Sequence, residues 1–431
     1  MIIDLPILPV YRAASAGLAS LSPLWAYYRC RRGREDPNRV NERFGLPSLD
    51  RPYGKLAWFH GASVGESVSL LPLVEYLASR GFSILVSTGT TSAASVIASR
   101  LPPGVIHQYL PFDVPKFLLR FLDHWQPDLA LVAESEIWPN LFTEIKGRDI
   151  PLILVNARMS DRSFHRWRCV PGFIRSLLEG VDLCLAQTAA DAERFRELGM
   201  RRVQNVGNLK YDVTAPPADP RELATLAGRI GKRPTWVAAS THRGEDAIAL
   251  EVHDALARRF PELLTIIVPR HPRRGDEIAE LAATQGVPAL QRSREPRQAP
   301  LPEVYIADTA GELGLFYRLA SASFIGKSLA GRGGGQNPIE AAKLGCAVLH
   351  GPNVTNFSEA YQALDEARGA AEVIDAASLA RVLAVLFSDT GKLRKMSRAA
   401  SDAVEQLGGA AAATMAAMEP HIAQVMVNQH A

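Results

Sequence analysis

Cysteine is scarce in this chain. Four thiols in 431 residues (Cys30, Cys169, Cys184 and Cys346) stand far apart, with no C-x-x-C pair. That spacing excludes a disulfide framework and a cysteine-based zinc site, and it fits a reducing compartment. Neither sign of charge dominates: 48 Lys and Arg against 45 Asp and Glu leave a formal net charge of +3. Nothing in that balance calls for a nucleic acid partner. No apolar run reaches the roughly 20 residues of a spanning helix. There is no internal repeat, no clean G-x-G-x-x-G after a strand, and no Walker lysine pattern, so a dinucleotide site is weakly supported and a P-loop NTPase is disfavoured. What remains is an ordinary globular composition, 47% hydrophobic and 22% charged. The length predicts about two domains with full-sized cores.

The stretch Trp58–Ser67 (WFHGASVGES) organises the first half. Lys55–His60 is short, apolar and aromatic, and predicts a buried strand. Gly61 and Gly65 bracket a turn, and the residues from Ser67 to Gly81 have helical spacing. Strand, glycine turn and helix form the βα unit on which many α/β folds place their sites. Glu66 falls at the turn-to-helix junction, where the helix dipole favours an ionised carboxylate. An exposed, ionised carboxylate there has the chemistry of a general base; the alternative is a residue that only complements the dipole. Gly61-Ala62-Ser63-Val64-Gly65 also fits the G-x-S-x-G nucleophile elbow. A serine hydrolase needs several strands before its elbow, whereas only one clear strand precedes Gly61.

The first 45 residues differ from the rest. An apolar run of about 16 residues follows Arg12, broken by serines, Gly17 and Pro23, and is followed by Trp25, Tyr27, Tyr28 and a run of arginines. The run is short for a spanning helix, and the charges lie on the wrong side for a signal peptide. A monotopic anchor is the expectation, with aromatics in the interface and arginines on anionic head groups. Its alternatives are a helix packed on the protein's own core and a single spanning helix. In either membrane case the arginines place the body on the cytoplasmic side.

Short apolar strands then alternate with helix-sized stretches: Phe82–Thr88, Val105–Leu110, Asp128–Ala133, Pro151–Asn156 and Asp182–Ala186. The proline-rich Val213–Pro220 reads as a linker. Alternation resumes with Thr235–Ala239, Leu263–Val268, Val304–Ala307, Ser321–Ile325 and Ala347–His350. The expectation is an α/β protein of two doubly wound, Rossmann-like lobes with a cleft between them, the GT-B glycosyltransferase layout; a dehydrogenase or a sugar-nucleotide epimerase is also compatible. The predicted division is a membrane segment 1–45, an acceptor domain 46–212, a linker 213–220, a nucleotide-sugar domain 221–405 and a C-terminal helix 406–431.

Several segments carry chemistry. Glu134 and Glu136 leave a strand two residues apart, so an extended chain puts both on one side. Paired acids suit a glycosidase, or a sugar-binding or supporting role. Lys210, in Gly207–Asp212, ends the first lobe, and a lysine there can neutralise a phosphate or carboxylate. Ala239–Glu245 (ASTHRGE) follows a strand and opens a helix, an arrangement suited to an anion. Pro269–Arg274 (PRHPRR) brings cations to the next strand end, and Asp308–Leu313 is a further strand-end loop. In Gly331–Glu340 (GRGGGQNPIE), three glycines allow close approach of backbone to a ligand. Asn337 and Pro338 suit a helix start, and Glu340 faces back toward the glycines.

Taken together, HGASVGE, ESEIWPN, GNLKYD, ASTHRGE, PRHPRR, DTAGELGLFY, GGGQNPIEAA and GPNVTNF, in that order, resemble the 3-deoxy-D-manno-octulosonic acid (Kdo) transferases of lipopolysaccharide synthesis. The resemblance runs from the anchor-like N-terminus to about Ala400. It implies an inverting GT-B enzyme on the cytoplasmic face of the cell inner membrane that moves Kdo from CMP-Kdo to a lipid A precursor, with no metal or other cofactor. By resemblance Glu66 is the catalytic base, and Glu136 and Lys210 stabilise the transition state. Arg270, His271, Gly311, Glu312, Leu313, Asn337, Pro338, Ile339 and Glu340 match the CMP-binding segments. Gln336 departs from the family pattern, which often has His there. No protein partner is implied. The alternatives are a GT-B transferase for another sugar nucleotide and a non-catalytic binder of one.

Overall fold

A computed structural model of the chain describes residues 7–212, 214–295, 300–331 and 333–427. The first six residues of the expected membrane segment, position 213 of the expected linker and the last four residues of the expected C-terminal segment lie outside them. The chain forms two compact units. One runs to residue 213 and resumes at Gly408; the other spans Thr214–Leu407.

The first unit is built on seven parallel strands: β1 (Leu56–Gly61), β2 (Ser83–Thr88), β3 (Ile106–Tyr109), β4 (Leu129–Ala133), β5 (Leu152–Ala157), β6 (Leu183–Ala186) and β7 (Val203–Asn205). Their spatial order is β3-β2-β1-β4-β5-β6-β7. The central strands are buried along their whole length, as expected where helices cover both faces. Trp58, Phe121, Trp125 and Phe142 fill one face. Phe59, Leu73 and Leu77 fill the other, and Met418, Ile422 and Val425 of the C-terminal helix Ala410–Val427 complete it.

The second unit repeats the plan with β8 (Thr235–Thr241), β9 (Leu264–Pro269), β10 (Ala289–Gln291), β11 (Val304–Ile306), β12 (Ala322–Ile325), β13 (Ala347–His350) and β14 (Ala370–Glu372). All are parallel, in the order β10-β11-β9-β8-β12-β13-β14. In each sheet one pair of neighbours runs to opposite sides from its following connections: β1 with β4, and β8 with β12. Ligands of such sheets bind beyond the carboxyl ends of the strands at that switch point. The segments His60–Ser67 and Glu134–Trp138 emerge from the first switch point. Thr241–Glu245 and Gly326–Gln336 emerge from the second.

The N-terminal segment forms two helices, Ile7–Gly17 and Ser22–Arg31. The first is tied to its unit by polar contacts, Tyr11 to Asp113 at 2.9 Å and Arg12 to Glu144 at 2.6 Å, and buries no residue of its own. Leu18, Leu21, Leu24, Trp25, Tyr27 and Tyr28 stay exposed. No described helix is long and apolar enough to cross a membrane.

Asp212 fastens the returning C-terminal segment. Its two carboxylate oxygens accept from the Gly409 and Ala411 amides at 2.7 and 2.6 Å, which caps the start of the final helix. Loss of a cap costs about 1 kcal/mol. Asp212→Ala is expected to lower the Tm of its transition by about 2–4 °C in calorimetry and to make the last helix the earliest site of proteolysis.

Candidate functional site

The first site starts at the end of β1. The chain turns tightly through Gly61, where an added Cβ would stand 2.8 Å from the Ser67 amide nitrogen. Ser63, in extended conformation, caps the six-residue helix Val64–Ser69 and accepts from the Glu66 amide at 3.4 Å. The Ser63 hydroxyl proton goes to Glu66 Oε1 at 2.6 Å, and the Ala62 amide donates to Glu66 Oε2 at 2.9 Å. Ser63 therefore serves Glu66 and does not form a nucleophile elbow. The expected exposed carboxylate is corrected too: Glu66 is 9% exposed. Burial pushes its carboxyl above the usual glutamate range. The charges of Glu134 and Glu136 add to this rise, and the hydrogen bonds from Ser63 and Ala62 offset only part of it. The helix is too short for its dipole to reverse the effect.

Glu134 and Glu136 do not share a side. The chain leaves β4 with Glu134 at φ +53°, a left-handed turn in place of the expected extended run. Glu134 therefore turns to Lys210 Nζ, 2.5 Å away. Glu136 turns to the Trp138 indole, whose Nε1 donates to Oε2 at 2.8 Å. Its carboxyl lies below the usual range: burial raises it, but His60 and Trp138 together outweigh burial. Lys210 is set by a chain of asparagines. Asn156, at the end of β5, accepts from the Leu209 amide at 2.9 Å, and Asn208 accepts from the Lys210 amide at 3.0 Å. The Lys210 stem passes Gly65, where a Cβ would lie 3.8 Å from its Cε. The three expected residues Glu66, Glu136 and Lys210 thus converge, with Glu134 as the fourth member. A cavity of about 250 Å³ opens beside them, walled by Trp25, Arg43, His60, Phe112, Glu136 and Trp138 among others. His60 and Trp138 were missed from sequence as site residues, although both lie inside motifs already singled out.

The second site lies in the other unit, at the carboxyl ends of β8, β9 and β12. A cavity of about 540 Å³ is lined by Thr241, His242, Arg243, His271, Arg273, Arg274 and Glu277. The His242 and His271 rings stand edge to face, 6.3 Å apart. Burial and the surrounding cations hold both imidazoles below the ordinary histidine value. Such a cluster suits an anion such as a phosphate. The fully buried Glu245 carboxylate organises it, accepting from the amides of His242 (2.9 Å), Lys327 (2.7 Å), Ser328 (3.0 Å) and Leu329 (3.1 Å). Gln336, the departure from the expected pattern, contacts the His242 ring through its amide nitrogen at 3.2 Å.

The glycine run acts differently from expectation. The amides of Gly334 and Gly335 are spent on the Lys327 carbonyl, and that of Gln336 on the Gly326 carbonyl. A Cβ on Gly333 would meet the Lys327 carbonyl oxygen at 2.2 Å, so close backbone packing demands these glycines. The following helix, Ile339–Lys343, has five residues, with Asn337 Oδ1 accepting from the Ile339 amide at 3.0 Å. This is a tight loop and not a cradle of free amides on a long helix. Pro338 and Ile339 are buried and Glu340 is half-buried. Arg270 is exposed, and its amide donates to the Thr241 carbonyl at 3.0 Å. The Gly311–Leu313 turn follows β11 at the same edge, outside the lining of the cavity. There Arg292 holds both oxygens of Glu312, at 2.5 and 2.7 Å, and Thr309 donates to it. These hydrogen bonds keep the Glu312 carboxyl low despite its burial. Among the described residues no group of three or more His, Cys, Asp or Glu side chains is placed to hold a metal ion.

Comparison with known proteins places these sites in a family context. Residues 38–213 match the family described as 3-deoxy-D-manno-octulosonic-acid transferase (kdotransferase). The 3-deoxy-D-manno-octulosonic acid transferase of Bordetella pertussis is 35% identical over 424 residues, covering 95% of this chain and 98% of that protein. A probable mitochondrial 3-deoxy-D-manno-octulosonic acid transferase of Arabidopsis thaliana is 35% identical over 410 residues, 92% of each chain. Among solved structures, UDP-GlcNAc 2-epimerase from Neisseria meningitidis is similar in fold, with a TM-score of 0.57 and 13% identity over 87% of this chain and 100% of that one. The architecture is the α/β fold of two Rossmann-like units that GT-B enzymes and these epimerases share.

The Ser63 hydroxyl lowers the Glu66 carboxyl pKa, so its removal acts upward. In Ser63→Ala, side-chain carboxyl NMR is expected to show Glu66 titrating at higher pH than in the wild type. The cap is lost with the hydroxyl, lowering stability by about 1 kcal/mol.

Proposed function

The chain belongs to the 3-deoxy-D-manno-octulosonic acid (Kdo) transferase family, and on that footing we propose that it transfers Kdo from CMP-Kdo to a sugar hydroxyl of a lipid A precursor, with inversion and with Glu66 as general base. The observation that carries this reading is Glu66 itself: a buried carboxylate with a raised pKa, at a sheet's switch point, beside two further acids and a lysine. A base works best when its pKa approaches the working pH, and burial moves Glu66 in that direction.

In this reading the acceptor hydroxyl oxygen attacks the anomeric carbon of Kdo while its proton passes to Glu66. The bond from that carbon to the phosphate oxygen breaks, and CMP leaves with the electron pair. Single displacement from the opposite face inverts the centre. Positive character on the sugar is met by Glu136, whose carboxyl stays ionised. Lys210 keeps the neighbouring Glu134 charge balanced. In the second unit the donor phosphate is held by Arg243, Arg273 and Arg274, with the His271 ring beside them in the cavity lining and Arg270 next to it in the chain. Asn337–Glu340 and the Gly311–Leu313 turn are assigned to the rest of CMP. The glycine-run amides of residues 334–336, being engaged within the loop, take no part.

The lipid acceptor gives the N-terminal helices their role. Leu21, Leu24, Trp25, Tyr27 and Tyr28 expose apolar surface next to Arg29, Arg31 and Arg32. Such a face rests in the interface of an anionic bilayer, here the cytoplasmic side of the inner membrane.

Two measurements test the reading. With labelled tetra-acylated lipid A precursor and CMP-Kdo, the wild type is expected to give a slower-migrating product, and Glu66→Gln to lose about 10²–10⁴-fold in kcat. Because the base must be ionised, kcat/KM rises with pH and levels off only above the raised Glu66 value. An unshifted acceptor with active donor argues for another sugar nucleotide or acceptor. For the membrane face, co-sedimentation with phosphatidylglycerol vesicles is expected to fall sharply in the double variant Leu24→Ser, Trp25→Ser; unchanged binding would refute it.

A further inference from the structure

Behind Glu136 stands a buried histidine that the reaction scheme above does not use. His60 occupies the penultimate position of β1 and is fully buried. Its Nδ1 lies 3.1 Å from the Ser87 carbonyl oxygen and 2.9 Å from Ser87 Oγ. A carbonyl oxygen can only accept, so Nδ1 carries a proton. The hydroxyl is consistent with this: Ser87 Oγ accepts from the Trp58 indole at 2.8 Å and donates to the Phe59 carbonyl at 3.3 Å. The ring is therefore fixed in orientation and in which nitrogen points away from the sheet.

That other nitrogen, Nε2, is buried with no hydrogen-bond partner. The group it faces is Glu136, whose Oε2 is 3.9 Å away. Filling the core does not require this arrangement, since an aromatic hydrocarbon would occupy the volume without an unpaired buried nitrogen. Glu136 in turn reaches the cavity beside Glu66, with its side chain 23% exposed. Ser87, His60 and Glu136 follow one another from the sheet, and both His60 and Glu136 line the cavity. Each member orients the next, the arrangement by which buried donors hold a reacting group in place.

We propose that His60 is a positioning residue for Glu136: as the imidazolium, with both ring nitrogens protonated, it donates from Nε2 and holds the carboxylate in the orientation the transferred sugar meets, and the gap closes to hydrogen-bond length when the site is loaded. This rests on the transferase reading for the role of Glu136. The contact between the two side chains does not depend on it.

The two ring nitrogens can be tested separately. His60→Asn keeps an amide N–H near the Nδ1 position, and His60→Gln supplies one near Nε2. The assay is Kdo transfer from CMP-Kdo to tetra-acylated lipid A precursor in detergent micelles. His60→Asn is expected to lower kcat about tenfold or more, with both KM values within about twofold of wild type, and His60→Gln to recover most of the loss. Placed on Glu136→Gln, His60→Asn is expected to cost nothing further, because the two act as one unit. A His60→Asn kcat within about twofold of wild type overturns the inference, as does a loss that adds in full to that of Glu136→Gln, or equal rises in both KM values with a lowered Tm. Wild-type protein that transfers no sugar refutes the transferase reading instead. The dyad is then judged on the full chain with ¹⁵N-labelled histidine. Its ring signals, identified by their absence in His60→Asn, are expected to move in Glu136→Gln, and unmoved signals overturn the dyad.

Discussion

Three carboxylates and one ammonium share the end of a single sheet, and the sheet's topology makes that crowding unavoidable. β1 and β4 are neighbours whose connections run to opposite sides, so Glu66 and the pair Glu134 and Glu136 emerge side by side. Like charges in a partly dry site raise one another's pKa unless something compensates. The molecule compensates unequally. Lys210 is given to Glu134, and Trp138 and His60 to Glu136, while Glu66 receives only an amide and a hydroxyl. The asymmetry sets the acids apart: Glu136 is held in its ionised form, and Glu66 is left where a proton is more easily accepted.

The second unit solves an opposite problem, the accumulation of positive charge. Arg243, Arg273 and Arg274 line one cavity with two histidines. Asp246 accepts from Arg274 at 2.5 Å, and the Glu245 carboxylate ties the Thr241 loop to the loop after β12 through four backbone amides. The two acids are not among the residues that line the cavity. They hold the cation-bearing loops in register, so that repulsion among the arginines does not spread them apart.

Much of this architecture was legible in the sequence, because fully buried parallel strands read as short continuous apolar runs. The central strands of both sheets lie within a residue or two of the expected spans. The strands left unread, β7, β10 and β14, are three residues long and sit at or near sheet edges, where exposed positions such as Gln204 and Glu372 dilute the pattern. The site was legible as motifs but not as geometry. The spacing of Glu134 and Glu136 implied a shared side only for extended chain, and the left-handed turn at Glu134 sends them apart. The glycine run read as a ligand cradle because sequence shows the absence of side chains, not what fills the space; here Asn356, Tyr361 and the Lys327 carbonyl fill it. Burial of Glu66 was hidden for a similar reason, since a helix start predicts a dipole but says nothing of how far the rest of the chain covers the carboxylate.

The return of residues after Gly408 to the first unit makes the second unit an insertion within the first. The middle of the chain can complete its own sheet as soon as it leaves the ribosome. The first sheet cannot: one of its faces awaits Met418, Ile422 and Val425, which follow the whole inserted unit in the chain. Until then the surface around Leu73 and Leu77 is uncovered while synthesis continues through nearly two hundred further residues of the inserted unit. The unit that holds Glu66 is thus begun before the inserted unit and completed after it.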